Sequence, residues 1–176
     1  MARTLHYGAT AKVFHWLIVL LLVVQFPLGW LMPDIHPNMQ PGDAMTVHIS
    51  IGMCILALIA LRLIWRLGHP VAPDHSLPAW QRVSSEGLHW LLYALVLVTT
   101  MTGWIFASQR GWSISLFYAL PLPMLTEKDS PTGHMIGEWH QTVQWVLAIA
   151  IGVHIAAALV HIFVYRDRIM QRMLPG

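Results

Sequence analysis

Four stretches of this chain, roughly 13–32, 47–67, 88–107 and 142–165, are each apolar over close to the ~20 residues that a helix needs to cross a bilayer. They predict an all-α membrane protein, a bundle of four transmembrane helices forming one domain over 1–176. Composition agrees: 56% of residues are hydrophobic and 10% charged, whereas soluble domains carry roughly a quarter charged. The first stretch is longer than a signal-peptide core and runs into Leu31-Met32-Pro33-Asp34 with no small-residue cleavage pattern, so it reads as a retained helix. Prolines and glycines mark the connections: Pro33, Pro37, Pro41 and Gly42, then Pro70 and Pro73, then Pro121, Pro123 and Pro131.

Basic residues set the expected orientation, because cytoplasmic ends retain Lys and Arg. Arg3, Lys12, Arg62, Arg66, Arg82, Arg166, Arg168 and Arg172 fall on one side, and only Arg110 and Lys128 on the other. Both termini are therefore expected in the cytoplasm. The same bias accounts for the small basic excess without nucleic acid. Cys54 is the single cysteine and lies inside an apolar stretch, so there is no disulfide framework and no thiolate metal site.

Ionisable side chains inside a span are costly and face an interior partner or cavity, which makes each intramembrane histidine a candidate functional position. The fourth stretch carries His140, His154 and His161. His154 lies 14 residues beyond His140, about 21 Å along a helix axis and within roughly 40° of the same face. His48 at the outer side of helix two and His15 near the inner side of helix one sit at matching levels. The pairs His48 with His140 and His15 with His154 are thus available, one at each depth.

Two neutral imidazoles facing each other, with no carboxylate or thiolate in reach, suit the axial positions of haem iron. Zinc and di-iron sites instead gather three or four ligands, often including carboxylates. The expected cofactors are two haem b groups between helices, with His15, His48, His140 and His154 as iron ligands. Gly52 and Gly152, near His48 and His154, would let a flat macrocycle approach the backbone. His161 is only seven residues beyond His154, about 10 Å, too close to centre a further haem. His161 and His89 instead gather toward the cytoplasmic end with Arg62 and Arg66, a set suited to hydrogen-bonding quinone carbonyls and relaying protons. His6, His36, His69, His75 and His134 read as solvated surface histidines.

Phe14-His15-Trp16, His48-Ile-Ser-Ile-Gly52, Arg62-Leu-Ile-Trp-Arg66 and Trp139-His140 with His154 and His161, in that order, resemble the bacterial cytochrome b561 family across almost the whole chain. The resemblance implies that His15 and His154 ligate a cytoplasmic-side haem and His48 and His140 a periplasmic-side haem. It further implies electron transfer between membrane quinone and a periplasmic partner, in some members oxidation of superoxide coupled to ubiquinone reduction. The looser likeness to cytochrome b subunits of hydrogenases and formate dehydrogenases implies the alternative, docking to a periplasmic enzyme. For a superoxide reaction, Arg110 and Lys128 are the outer cations available to attract the anion, against the nearby acids Asp34, Asp43, Glu127, Asp129 and Glu138. Some relatives carry a lysine-rich second connection. Here Gly68 to Pro78 contains no Lys or Arg and offers His69, Asp74 and His75.

Overall fold

A computed structural model describes residues 8–33, 35–36, 39–70, 77–167 and 169–174. Arg3, His6, Asp34, Asp74, His75 and Arg168 lie outside the described residues. Four long helices follow in order: α1 (Ala9–Trp30), α2 (Asp43–Gly68), α3 (Ala79–Gln109) and α4 (Pro131–Val160), the last running into a π-helical turn at His161–Tyr165. All four are long and apolar enough to cross a membrane. A short antiparallel ribbon, β1 (Ser115–Leu116) with β2 (Leu120–Pro121), lies between α3 and α4. The start of α1 and residues 173–174 meet at one end of the bundle, the end that the basic residues lead one to expect inside. The opposite end is the one expected outside.

Two helices begin well before hydropathy places them, α3 at Ala79 rather than near Leu88 and α4 at Pro131 rather than near Thr142. Hydropathy detects only the lipid-soluble part of a helix, whereas both extensions are polar. Capping chemistry starts α4: the Ser130 hydroxyl accepts from the Gly133 amide at 3.3 Å. Pro131 occupies the first turn, where its missing N–H costs no helical hydrogen bond. Pro131 thus opens a helix rather than marking a loop.

Packing runs α1 on α2, α2 on α3 and, most extensively, α3 on α4. Glycines make that last approach possible. A Cβ on Gly133 would sit 2.8 Å from the Gln109 Cβ, and one on Gly137 would overlap the Phe106 ring. Gly133 and Gly137 are one small-xxx-small pair, the spacing that lets membrane helices come close.

α1 and α4 share no extended seam among the described residues and are bridged at their two ends instead. At the outer end Trp30 stacks on Trp145 with ring centres 5.2 Å apart, and its Nε1 donates to Gln144 Oε1 at 3.2 Å. At the inner end Lys12 Nζ donates to the Leu174 carbonyl at 2.7 Å and Trp16 Nε1 to the Met173 carbonyl at 2.9 Å.

The interior is aliphatic, built from Ile18, Ile51, Ile55, Ile59, Val96 and Leu147 with Tyr93. Large apolar side chains such as Leu20, Val23, Ile64, Ile149 and Phe163 face outward, a surface for lipid rather than water. The outer connection folds over its own small core around Trp112, which is 2% exposed and donates from Nε1 to the Met39 carbonyl at 2.7 Å. Two buried hydroxyls fasten that connection to the bundle. Ser50 Oγ accepts from the Phe117 amide at 2.9 Å and Ser108 Oγ from the Leu125 amide at 3.1 Å.

Candidate cofactor site

The bundle brings the four histidines together as two facing pairs. His48 on α2 and His140 on α4 have ring centres 6.4 Å apart at an interplanar angle of 88°. His15 on α1 and His154 on α4 have ring centres 6.4 Å apart at 76°. The separation is informative. A metal bound to one nitrogen of each ring, at about 2.0–2.1 Å per bond, with each nitrogen about 1.2 Å from its ring centre, needs centres about 6.4–6.6 Å apart when the bonds are collinear. Among the described residues no three His, Cys, Asp or Glu side chains converge as a metal site, which leaves two-ligand axial binding as the arrangement these rings suit.

At the outer pair the protein prepares both rings. His140 Nδ1 donates to the Thr99 carbonyl at 2.9 Å, with Thr102 Oγ1 3.4 Å away. A proton held on Nδ1 leaves Nε2 as the lone-pair nitrogen, the arrangement typical of metal-binding histidine. Gly103 makes room for this ring, since a Cβ there would lie 2.8 Å from His140 Cε1. Gly29 does the same for His48, where a Cβ would meet Cε1 at 3.1 Å.

Gln25 Nε2 donates to the His48 carbonyl at 3.0 Å and lies 3.3 Å from His48 Nε2. His48 Nδ1 and Gln25 Oε1 are buried without a protein partner, and such atoms call for a partner from outside the chain. Between them lies a narrow cleft bordered by Gln25, Gly29, His48, Thr99, His140 and Leu147. The residues present fit a haem.

The inner pair has a different setting. His89 on α3 packs edge-on to His154 with ring centres 5.3 Å apart, and Trp16 packs edge-on to His15, also at 5.3 Å. Arg62 lies within charge-interaction range of His15 and His154, and both Arg62 and Arg66 within range of His89. The two guanidinium groups are held by aromatic residues of α3. Arg62 Nε donates to Tyr93 Oη at 2.8 Å and its Nη1 to the Ala11 carbonyl at 3.3 Å. Arg66 lies over the Trp90 and Tyr93 rings at 5.2 and 5.6 Å.

His161 is placed separately. Its Nδ1 bonds Asp167 Oδ2 at 2.6 Å and its ring contacts Tyr165. The structure therefore gathers His89, Arg62 and Arg66 around the inner pair and gives His161 a carboxylate partner of its own.

The two outer cations serve the loop. Arg110 Nη2 donates to the His36 carbonyl at 2.7 Å, and its guanidinium lies 5.4 Å from both the Phe106 and Trp112 rings. The Lys128 side chain packs across Gly111, whose φ of +68° and close contact leave no room for a Cβ. The Lys128 ammonium has no polar partner among the described residues. Gly52 lies by Gln25 and Gly152 faces open space. His69 stacks on Trp65 at 3.8 Å, and exposed His134 lies 3.6 Å from Glu138.

Sequence reading overlooked Gly29, Gly103, Gln25, Thr99, Tyr93 and Asp167. A signal existed for the α3–α4 approach in the Gly133-x-x-x-Gly137 spacing ahead of His140. None existed for the Thr99 carbonyl, which is a backbone atom.

Comparison with known proteins agrees with this architecture. The chain is 26% identical over 172 residues to cytochrome b561 homolog 2 of Escherichia coli strain K12, covering 96% of this chain and 90% of the relative. It is 27% identical over 162 residues to the probable superoxide oxidase CybB of Yersinia pestis, covering 92% and 91%. With cytochrome b561 homolog 1 of E. coli K12 it shares 24% identity over 176 residues, covering 96% and 97%. The family profile for prokaryotic cytochrome b561 matches residues 6–176. With its four membrane-crossing helices, this chain belongs to the prokaryotic cytochrome b561 family, multi-pass bacterial membrane proteins that bind haem b and transfer electrons.

Proposed function

We propose that the chain carries two haem b groups, one at each histidine pair, and passes electrons from a periplasmic one-electron donor, superoxide, to ubiquinone near the inner end. The observation that carries this reading is the presence of two imidazole pairs, each with centres 6.4 Å apart, at two levels of one bundle. The relative named a probable superoxide oxidase supports the donor. His48 and His140 would hold the outer group and His15 and His154 the inner one.

Bound haem b supplies a one-electron iron couple; its electronics are tuned by what the protein places around it. The chain orients the ligands: Thr99 fixes the His140 tautomer, while Gly29 and Gly103 let the rings seat. Ile55, Val96 and Leu147 keep the space between the levels dry. Arg62 and Arg66 place positive charge beside the inner pair, favouring arrival of an electron there. In balance, two superoxide anions each give up one electron and become dioxygen, while one ubiquinone takes two electrons and two protons to become ubiquinol. His89, Arg62 and Arg66, with His161 nearer the chain end, are the candidate quinone-binding groups. Lys128 is the free outer cation for drawing in an anion, and Arg110 shapes the loop beside it. Both termini lie in the cytoplasm.

The test uses the purified full chain in liposomes with a superoxide generator and ubiquinone, together with pyridine haemochrome quantitation. Two haems per chain and superoxide loss coupled to ubiquinol formation are expected. Haem reduction by a chemical reductant without faster superoxide loss would replace this reading with that of a subunit docked to a periplasmic enzyme. A C-terminal reporter active only in the periplasm would reverse the orientation.

A further inference from the structure

The helical path of α4 changes at its C-terminal end, and the change delivers a carboxylate to His161. The last turn is π-helical, His161–Tyr165, and Arg166 follows in the left-handed region at φ 52°, ψ 36°. A non-glycine residue holds that conformation only where its surroundings enforce it. Here it folds the chain back, so that the Asp167 amide donates to the His161 carbonyl at 3.2 Å. The two oxygens of Asp167 then take different partners. Oδ2 meets His161 Nδ1 at 2.6 Å, and Oδ1 accepts from the Ile169 amide at 3.0 Å. Both side chains are largely covered, at 18% and 26% exposure. Beyond them, residues 170–174 run back to α1, where the Met173 and Leu174 carbonyls take hydrogen bonds from Trp16 and Lys12. The carboxylate is therefore held from both sides and does not swing freely.

We propose that Asp167 is a positioning residue for proton delivery: it holds the His161 Nδ1–H so that Nε2 exchanges protons with a quinone bound at the inner end. A carboxylate on one imidazole nitrogen fixes ring and tautomer and makes the other nitrogen the working one, as in other histidine–carboxylate pairs that move protons. Nε2 of His161 has no partner among the described residues. When doubly protonated, His161 gives its Nε2 proton to a quinone oxygen, keeps the Nδ1 proton on Asp167, and is reprotonated from cytoplasmic water. Two such passes supply both protons of the quinol, while the two electrons come from two superoxide anions through the chain. This inference rests on the proposed quinone reduction.

The experiment compares wild type, D167N, D167E and H161Q as haem-loaded full chains in liposomes, with ubiquinone and a superoxide generator. D167N is expected to lower kcat for quinone reduction by about 10–100-fold, the usual cost of losing a partner that orients a working histidine. KM for ubiquinone, haem content and the initial superoxide-driven haem reduction should stay near wild type, and D167E should recover part of kcat. H161Q should lower kcat at least as far. Independently of activity, 15N-histidine NMR should show an Nδ1–H bonded to carboxylate in wild type and its loss in D167N. A D167N protein with wild-type kcat overturns the relay, as does one whose haem content falls in step with kcat, since Asp167 would then be a structural strap. If wild type reduces no quinone, the proposed function itself fails; if it does and D167N equals it, the relay alone fails.

Discussion

The two ends of the bundle present the same pair of imidazoles at the same separation, in contrasting surroundings. The outer pair sits in a glycine-fitted seam. Gly103 and Gly29 admit the rings, Gly133 and Gly137 draw α4 onto α3, and the Thr99 carbonyl fixes a tautomer. The inner pair sits among charges, with Arg62 and Arg66 leaning on Tyr93 and Trp90, and it lies where the returning tail ties onto α1. One end is organised by steric fit and the other by charge and tethering. A substitution that alters shape should therefore harm the outer end most, and one that alters charge should register at the inner end.

The largest effect is expected from Gly103→Val. Its added atoms collide with His140, and overpacking of this kind costs about 1–3 kcal/mol even without a ligand at stake. Haem content should fall by about half, and the remaining signal should belong to the inner group. Equal loss from both levels in the spectrum would erase the contrast. His140→Ala and His154→Ala should each remove one of the two haems, and the two variants should leave spectrally different survivors.

Arg62→Gln tests the inner end. Removing a positive charge beside His15 and His154 makes reduction there harder, so the inner midpoint potential should fall by on the order of 60 mV, one decade for a single electron. The outer potential should stay in place, as redox titration of the two groups would show. Loss of the Tyr93 and Ala11 hydrogen bonds should also lower stability, by about 1.5–3 kcal/mol for bonds to a charged donor.

The smallest effect concerns the outer connection. Tyr118 Oη donates to Asp43 Oδ1 at 2.6 Å, and this hydrogen bond to a carboxylate raises the Tyr118 phenol above its ordinary range. A phenol with a raised folded pKa contributes fully below its unfolded value, about 10, and its contribution is lost as pH rises through the raised one. Wild type should therefore lose thermal stability slightly more steeply than Tyr118→Phe above that pH, and melting curves across the alkaline range check it.

Much of this was legible from the chain alone. Apolar runs separated by proline and glycine specify four crossing helices, because lipid selects for length and apolarity and little else. Histidine spacing on one helix indicates depth, since rise per residue is constant, and depth alone suggested which rings can meet. Reading stopped where partners are distant in sequence or belong to the backbone. Gly29 meets a residue of α2, Gly103 a residue of α4, and the Thr99 carbonyl carries no side-chain identity at all. The polar first turns of α3 and α4 were hidden for another reason: both helices run on past the apolar stretch that hydropathy detects, α4 from its Ser130 cap.

The sequence by itself determined the membrane class, the helix order and the levels of the four histidines, all consequences of local periodicity in a solvent that admits few folds. Tertiary structure alone decided which ring nitrogen is free, which glycines make room for the rings, and that Asp167 turns back to hold His161. Those outcomes depend on close contacts between segments as far apart as Trp16 and Met173, and a linear chain carries no record of such a distance until it has packed.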